Sequence, residues 1–554
     1  MYLRETRATD RHGQSVSYLQ LAHNRRNPLT GAPTAEIIHS FGRADRVDRE
    51  GLARLVRSIS RFLEPGAAVA ATAENGVEVV DSRPLGGALV LDHLWHRLGI
   101  DQGLRRLLAG RKLDPRVERV LFALVANRAL EPLSKLAGTQ WVRERVFIPG
   151  LPEVDEDSCY RAMDFLLECQ EELAKTVFFN TAGLLNLSVD LIFFDGSSTY
   201  WETDQEDPDQ VDEGGAVKLG FRAYGHSKDH RPDLPQVLIG MAVTREGIPI
   251  RVWSWPGGTG ESPLIRQVKD DLQGWQLERV VWVADRGFSS GENRAYLSQD
   301  DENYIIGEKL RGGSKEPALA LSWPGRYHQV AENLQVKEVV LEHDRFVICY
   351  NPEQAVRDRA VRERLRQRLE EEIASSDQLS LEERAELFGK LKTKPGLRRL
   401  LRMTKGGLLR LDQAALKREE HLDGKYLVRS SDPTMTADEI ALGYRQLLQV
   451  ERGWRDMKTT LELRPVYHRK EDRIRAHIVL CWLALLLIRV AENQTGETWR
   501  NLRHELQRLH LVTLATDHGT VAQRSLLTPG QQAILHQLDL PEPLRFYDFR
   551  PGAA

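Results

Sequence analysis

Two runs of strand-forming apolar residues each end at an aspartate, and this pattern restricts the possible folds more than any other feature. "LIFF" leads into Asp195, and "VVWVA" leads into Asp285. Short apolar runs bounded by polar residues indicate buried strands. An ionised carboxylate at the edge of an apolar layer is costly unless a cation, a donor or water satisfies it. Functional groups meet at strand ends, so both aspartates are candidate site residues, although a lone aspartate more often caps a turn.

The composition indicates a soluble globular protein of several domains. The chain has 554 residues, of which 41% are hydrophobic and 28% charged, and it is too long for one ordinary core. Its formal net charge of -3 excludes a global attraction to nucleic acid, so any polyanion site must be local. Four cysteines without metal-binding spacing indicate a reduced cytosolic protein with packed thiols. The apolar run 478–488 is too short for a membrane span and predicts a buried helix, so no membrane partner is expected.

Changes in hydrophobic periodicity divide the chain into six predicted segments. The predicted fold class is α/β, with a mixed-sheet core interrupted by an insertion and a mainly helical N-terminal region. The segments are a strand and helix segment (1–86), a helical candidate DNA-binding domain (87–186), the first part of the core (187–310), an insertion with a strand pair and charged helices (311–424), the second part of the core (425–495) and a C-terminal helical tail (496–554).

A third acid, Glu451, lies in a segment that the pattern predicts to be one continuous helix. A Thr-x-x-Glu capping box at residues 436–439 opens this helix. Tyr444, Glu451 and Lys458 follow at intervals of seven residues, which places them on one helix face. Arg455 lies on the same side, one turn beyond Glu451. A solvated face of paired charges is the alternative explanation.

Residues around and beyond Glu451 predict contacts with DNA phosphates and bases. Two glycines in the helix, Gly443 and Gly453, each cost about 1 kcal/mol relative to alanine, which indicates a close approach by another group. Trp454 could stack on a base, although a helical tryptophan is more often core. Residues 464–477 form a local basic patch. The predicted DNA-binding residues are Tyr444, Arg445, Trp454, Arg455, Lys458, His468, Arg469 and Arg473.

These features together resemble the DDE transposases of bacterial insertion sequences, in the branch whose last acid lies in a Tyr-Arg-Glu-Lys signature. The matching acids are Asp195, Asp285 in "ADRGF" and Glu451, with Tyr444 and Lys458 at the flanking signature positions. The signature's arginine position holds a leucine, at 447, and the nearest basic residue is Arg445. The resemblance covers roughly residues 185–310 and 424–492.

The resemblance implies an RNase H-like core that cleaves DNA at insertion-sequence ends and transfers the strand to target DNA. Three crowded carboxylates would repel one another without metal, and two divalent ions suit phosphodiester cleavage. Two Mg²⁺ ions, with Mn²⁺ as a substitute, are therefore expected, Asp195 bridging them and Asp285 and Glu451 each holding one. Water would free a 3′-hydroxyl, which then attacks target DNA. The expected partners are double-stranded DNA, as terminal repeats and target, and a second copy of the chain in a synaptic homodimer in the bacterial cytoplasm.

Three other functions fit parts of the pattern. A hydrolytic nuclease of the same fold would use the same acids without joining strands. An inactive DNA-binding protein would use the acids only as turn caps. A phosphatase with Asp195 as its nucleophile is disfavoured, because such sites generally need a second acid two residues on, where this chain has Ser197.

Overall fold

The chain forms two compact units, each described by itself. In this computed structural model the described residues are 1–9, 15–26, 33–63, 77–187, 190–211, 214–215, 217–275, 277, 280–311, 315–341, 344–464, 466–516 and 519–551. The smaller unit comprises Met1–Leu85, Arg508–Pro529 and Pro541–Ala554, and the larger comprises Gly86–Gln507 and Gly530–Leu540.

The first part of the smaller unit is a three-stranded antiparallel sheet followed by a helix and a further strand. Its elements are β1 (Tyr2–Thr9), β2 (Ser15–Arg26), β3 (Pro33–Arg43), α1 (Arg49–Leu63) and β4 (Glu78–Pro84).

The larger unit begins with five helices, as the helical periodicity of this region predicts. They are α2 (Gly86–Arg97), α3 (Ile100–Leu108), α4 (Val117–Leu130), α5 (Lys135–Glu144) and α6 (Glu156–Leu185). Polar caps fix where two of them begin, because Ser134 accepts a hydrogen bond from the Ala137 N–H and Asp155 accepts one from the Ser158 N–H.

A mixed sheet follows the helices. Its elements and their neighbours in sequence are β5 (Leu191–Tyr200), β6 (Gln210–Val211), β7 (Val217–Lys218), β8 (Gln236–Val243), β9 (Pro249–Pro256), α7 (Leu264–Gln273), β10 (Val281–Ala284), α8 (Gly291–Leu297) and β11 (Asn303–Glu308). The central order is β9-β8-β5-β10-β11. Strands β5, β10 and β11 are parallel, whereas β8 and β9 are antiparallel to their neighbours. This topology confirms the predicted RNase H-like mixed-sheet core.

The inserted segment both extends the sheet and forms a small helical body. Its elements are α9 (Lys315–Ser322), β12 (His328–Ala331), β13 (Leu334–Leu341), β14 (Asp344–Tyr350), α10 (Pro352–Ile373), α11 (Leu381–Lys392), α12 (Pro395–Arg398), β15 (Leu401–Met403), β16 (Leu409–Leu411) and α13 (Gln413–Leu422), and the core strand β17 (Lys425–Ser430) follows it. Strands β12, β13, β14 and β17 continue the sheet beyond β11. The charged helices α10 and α11 bury an apolar cluster of their own, including Leu369 and Leu391.

The last elements of the chain differ from the sequence prediction in two places. They are α14 (Ala437–Arg445), α15 (Leu448–Thr459), α16 (Glu471–Thr495), α17 (Trp499–Leu506), β18 (His510–Thr516), β19 (Gly519–Arg524), α18 (Pro529–Gln537) and β20 (Phe546–Pro551). Residues 496–554, predicted as helical, contain three strands, which form a sheet of order β20-β19-β18-β4. Pairing with β4 is non-local, so the local sequence pattern does not reveal it.

The predicted single helix through Tyr444, Glu451 and Lys458 is wrong, because it is two helices. Tight hydrogen bonds join the Leu447 N–H to the Tyr444 carbonyl and the Val450 N–H to the Leu447 carbonyl, and they close a turn between α14 and α15. The turn lets α14 pack on β11 and β17 while α15 packs on β5 and β8.

Helix α16 is buried inside the protein, as the apolar run predicts. It is the one helix among the described residues that is long and apolar enough to cross a membrane, and 94% of its most apolar window is buried. It packs against α4, α6 and β9. The four cysteines are free and buried, which confirms the prediction of packed thiols.

Candidate active site

Two of the predicted acids lie side by side at the ends of neighbouring strands. In the parallel pair of β5 and β10, Phe194 lies opposite Ala284, so Asp195 and Asp285 follow in register. Asp285 also begins the short turn after β10, where its Oδ1 accepts a hydrogen bond of 2.7 Å from the Gly287 N–H. The turn-capping role and the predicted site position therefore coincide in Asp285.

The Asp195 side chain is a carboxylate in a largely apolar setting. It is 17% exposed, and the Lys228 Nζ lies 3.5 Å from its Oδ1. Burial raises the pKa of Asp195 to about 7, and the charges of Asp285 and Glu261 add to this effect, although Lys228 opposes it. The site is therefore short of positive charge and suited to a further cation.

Lys228 and Glu261 are site residues that the sequence analysis missed. The Lys228 Nζ lies 2.5 Å from the Glu261 Oε1 and donates a hydrogen bond of 2.6 Å to the Gly196 carbonyl. Burial alone would lower the pKa of Lys228, but the carboxylates of Asp195 and Glu261 outweigh burial and raise it. Both residues lie outside the strands and belong to no motif, so no local signal marks them.

Glu451 lies on the helix that covers the same face of the sheet. A Cβ on Gly453, two residues further along α15, would lie 2.5 Å from Met241 Cε, and Met241 is the β8 partner of Asp195. A Cβ on Gly443 would likewise lie 3.2 Å from a Leu191 methyl. The sequence indicated that another group approaches the two glycines closely, and the structure shows that this group is the sheet, on which α14 and α15 pack. Glu451 itself is exposed, and its carboxylate makes no hydrogen bond or ion pair with the described residues.

Tyr444 lies close enough to Asp285 and Glu451 to interact with both charges. A Cβ added to Gly307 of β11 would lie only 2.2 Å from the Tyr444 hydroxyl, so this hydroxyl needs a glycine at position 307. The Tyr444 ring stacks on the Tyr426 ring, with 5.8 Å between the two centroids. Burial raises the pKa of the phenol, and the charges of Asp285 and Glu451 add to the rise. Both acids are therefore within electrostatic range of this one side chain.

The carboxylates have the donor chemistry for a hard divalent cation but do not form a closed ligand set. Among the described residues, no group of three His, Cys, Asp or Glu side chains is arranged to hold a metal ion. Oxygen donors nevertheless suit Mg²⁺, and the buried, charge-deficient Asp195 beside Asp285 fits a cation. The chemistry of Asp195 and Asp285 therefore suits a divalent cation such as Mg²⁺.

Lys458 contacts the loop that carries Lys228, the residue that pairs with Asp195. Its Nζ is 2.9 Å from the Asp229 Oδ1, and Asp229 follows Lys228 directly. Arg464 lies over the Tyr200 ring at 4.2 Å and within 3.8 Å of the same Asp229 carboxylate. Three other predicted DNA-binding residues are exposed, namely Arg445, Arg455 and Arg469.

Other predicted DNA contacts need correction. Trp454 is 5% exposed and belongs to the core, because α15 turns it towards the sheet. Arg473 forms an ion pair of 2.8 Å with Asp164 and lies 4.6 Å over the Tyr160 ring, and His468 is half-buried near the same ring. The predicted basic patch at residues 464–477 is therefore not one surface, since Arg473 pairs with Asp164 and His477 is buried, whereas Arg469 is exposed.

The sequence matches two known families. Residues 191–487 match the family described as transposase DDE domain, and this chain belongs to it. Residues 3–71 match the IS1634 family transposase N-terminal domain. The cryo-EM structure of the piggyBac transposase synaptic complex with hairpin DNA is similar at 10% identity, over 76% of this chain and 79% of that chain, with a TM-score of 0.35. No curated protein matches the chain.

The chain is therefore a DDE-type insertion-sequence transposase, an enzyme that cleaves DNA and transfers strands. DDE transposases use divalent metal ions, and their substrate is DNA. The family and the function that the sequence resemblance implied are confirmed.

Proposed function

We propose that Asp195, Asp285 and Glu451 are the catalytic carboxylates and that they bind two Mg²⁺ ions, for which Mn²⁺ substitutes. The observation that carries the proposal is the register of β5 and β10, which sets a carboxylate with a pKa raised to about 7 beside a second one. Asp195 is assigned the bridging position because it is the most buried of the three. When bound, the ions would activate the attacking oxygen and stabilise the leaving one.

The protein side chains around these acids position them and the DNA. Lys228 holds Asp195 and Glu261 together, and it compensates negative charge while the acids carry no cation. Lys458 is held by Asp229 at the edge of the site, where it supports binding of a DNA phosphate. The exposed Arg455 and Arg469 are further phosphate contacts, because phosphate binding sets the register of a duplex without reading its sequence.

The reaction has two steps that involve no protein nucleophile. Water attacks the phosphodiester at a terminal repeat, and the bond to the 3′ oxygen breaks, which leaves a 3′-hydroxyl and a 5′-phosphate. The 3′-hydroxyl then attacks a phosphodiester of the target, so the second step exchanges one ester for another. A homodimer in the bacterial cytoplasm would hold the two ends together.

A cleavage assay on a labelled terminal-repeat duplex tests the assignment. We expect nicking with Mg²⁺ or Mn²⁺ and none with EDTA, and loss of nicking in Asp195→Asn, Asp285→Asn and Glu451→Gln. Asp190→Asn is the matched control, because Asp190 precedes the same strand β5 and pairs with Arg245 at 2.6 Å. Full activity in any one of the three variants would remove that residue from the proposed set.

Strand joining separates this function from that of a hydrolytic nuclease of the same fold. A duplex with a precut 3′-hydroxyl is incubated with supercoiled plasmid and Mg²⁺, and the joined product is measured. Nicking without joined product would favour the nuclease. Metal-independent DNA binding without nicking would favour a binding protein. The mass of the protein complexed with end DNA tests the dimer.

A further inference from the structure

The larger unit contains a cavity of about 510 Å³ that the catalytic proposal does not use. It lies between α4, the N-terminus of α5, α6, α16 and the three residues Glu462, Tyr467 and His468, and we call it the α5 cavity. Its wall includes Arg128, Lys135, His468 and His477. Four basic side chains thus line one cavity that is open to solvent.

Within the part of the chain that the structure describes, the basic groups of this cavity have no acidic partner. Lys135 is 5% exposed, and its ammonium makes no hydrogen bond or ion pair with any residue in the described part of the chain. Arg128 is 4% exposed and donates to the backbone carbonyls of Leu133 and Glu462, but its Nε has no partner. The Nδ1 of His477, which is 3% exposed, also lacks a partner. Buried charge without a partner is costly, so an anion would remove a standing penalty.

The electrostatics of the cavity agree with its geometry. Burial and the Arg128 charge lower the pKa of Lys135 to about 7. Burial, Lys135 and two arginines likewise lower the pKa of His468 to about 4. Two carboxylates, those of Glu156 and Glu462, also line the cavity, but neither forms an ion pair with Arg128 or Lys135 among the described residues.

A helix N-terminus adds to the positive potential of the cavity. Ser134 caps α5, a helix of 10 residues, and Lys135 is its first residue. Backbone N–H groups and the helix dipole favour an anion at such a position. A phosphate group fits this combination of ammonium, guanidinium and helix N-terminus better than a carboxylate, because it offers three acceptor oxygens and up to two charges.

A second cavity adjoins the α5 cavity and contains Lys458, which is proposed to bind a DNA phosphate. A cleft of about 850 Å³ contains Lys458 and Arg464, and it shares Tyr467 and His468 with the α5 cavity as a common wall. Lys135 and His477 are too buried to reach the phosphodiesters inside a duplex, whereas a phosphate at a strand end can enter a cavity. We propose that the α5 cavity binds the terminal 5′-phosphate of a DNA strand, and this rests on the proposed function, whose first step generates such an end.

Binding measurements on the full-length chain in EDTA test the proposal without requiring catalysis. Two probes are used, inorganic phosphate at matched ionic strength in thermal unfolding, and a labelled duplex with either a 5′-phosphate or a 5′-hydroxyl in anisotropy. The variants are Lys135→Met and Lys135→Gln, with Lys417→Met as the matched control on an exposed position of α13. We expect roughly a tenfold preference for the 5′-phosphate duplex, the effect of one charge-assisted hydrogen bond.

The two probes distinguish the sources of the phosphate. The proposal is supported if the wild type and Lys417→Met prefer the 5′-phosphate duplex and both Lys135 variants, still folded by calorimetry, lose this preference. It is overturned if the wild type binds both duplexes equally, and stabilisation by inorganic phosphate alone would then assign the cavity to the free anion. Because these readouts need no cleavage, failure of the catalytic assignment would leave them interpretable. If the wild type cleaved DNA normally but bound the 5′-phosphate and 5′-hydroxyl duplexes equally, only the proposal for the α5 cavity would be rejected.

Discussion

Replacing Gly453 with alanine tests how closely α15 must approach the sheet beside Asp195. The new Cβ would lie 2.5 Å from Met241 Cε, and Met241 is fully buried. Alanine gains about 1 kcal/mol of helix propensity over glycine, whereas overpacking a core costs about 1–3 kcal/mol. We therefore expect a net loss of up to about 2 kcal/mol in unfolding free energy, because the buried Met241 side chain must shift to make room for the new methyl group.

Gly389→Ala is the matched control for this prediction. Gly389 lies within helix α11, and nothing lies within 4 Å of its expected Cβ. Only the propensity gain of about 1 kcal/mol remains there, so this variant is expected to unfold at a higher temperature than the wild type.

Calorimetric unfolding measures the stability of the two variants, and the cleavage assay measures whether the shifted helix α15 slows the reaction. A shift of about 1 Å at a catalytic site can cost on the order of a hundredfold in rate, so we expect Gly453→Ala to cleave roughly 10–100-fold more slowly. Gly389→Ala should cleave at the wild-type rate. If Gly453→Ala were as stable as Gly389→Ala and fully active, the close packing of α15 on Met241 would be refuted.

Three further predictions concern buried charges and thiols. Lys135→Met should stabilise the protein most below pH 7, by up to roughly 5 kcal/mol, because the pKa of Lys135 is about 7 in the folded protein and 10.5 in the unfolded chain. In calorimetric scans, the stability of the wild type relative to this variant should rise as the pH increases from 7 to 10.5. A stability difference that does not change with pH would contradict a buried charge at Lys135. Arg489→Met should destabilise by up to about 3 kcal/mol, because it removes the buried guanidinium that Glu492 and Asp456 share, although Arg452 still pairs with Glu492 at 2.9 Å; a loss below about 1 kcal/mol in urea unfolding would count against this reasoning. The four buried cysteines should react with a thiol reagent only after unfolding, since burial raises their pKa values, and rapid labelling of the native protein would oppose it.

The sequence predicted the secondary structure around the proposed acids correctly where one local signal carried the information. The apolar runs before Asp195 and Asp285 predicted strands, and two strand ends in a parallel pair meet at the same edge of the sheet. The spacing around Glu451 was read correctly as helical but wrongly as one helix. The turn at residues 446–447 has no glycine or proline to announce it, and it forms because two helices must follow different strands of the sheet.

Charge partners were the least predictable part. Lys228 and Glu261 lie far apart in sequence and meet only over Asp195. Trp454 and Arg473 have residue types that suit DNA binding, but packing buries one and pairs the other. Composition cannot separate a basic residue that faces solvent from one that holds a neighbouring helix.

The sequence by itself determined the strands of the core, the buried helix α16, the reduced thiols and the membership of the three acids in one family pattern. These features depend on hydrophobic periodicity and on residue spacing, both of which are local. Only the tertiary structure decided that Lys228 pairs with Asp195, that β18 pairs with β4 and brings β19 and β20 into the same sheet, and that Lys135 is buried without a counter-charge among the described residues. Solvation and ion pairing depend on which groups the fold brings within a few ångströms, and distance in sequence does not specify that.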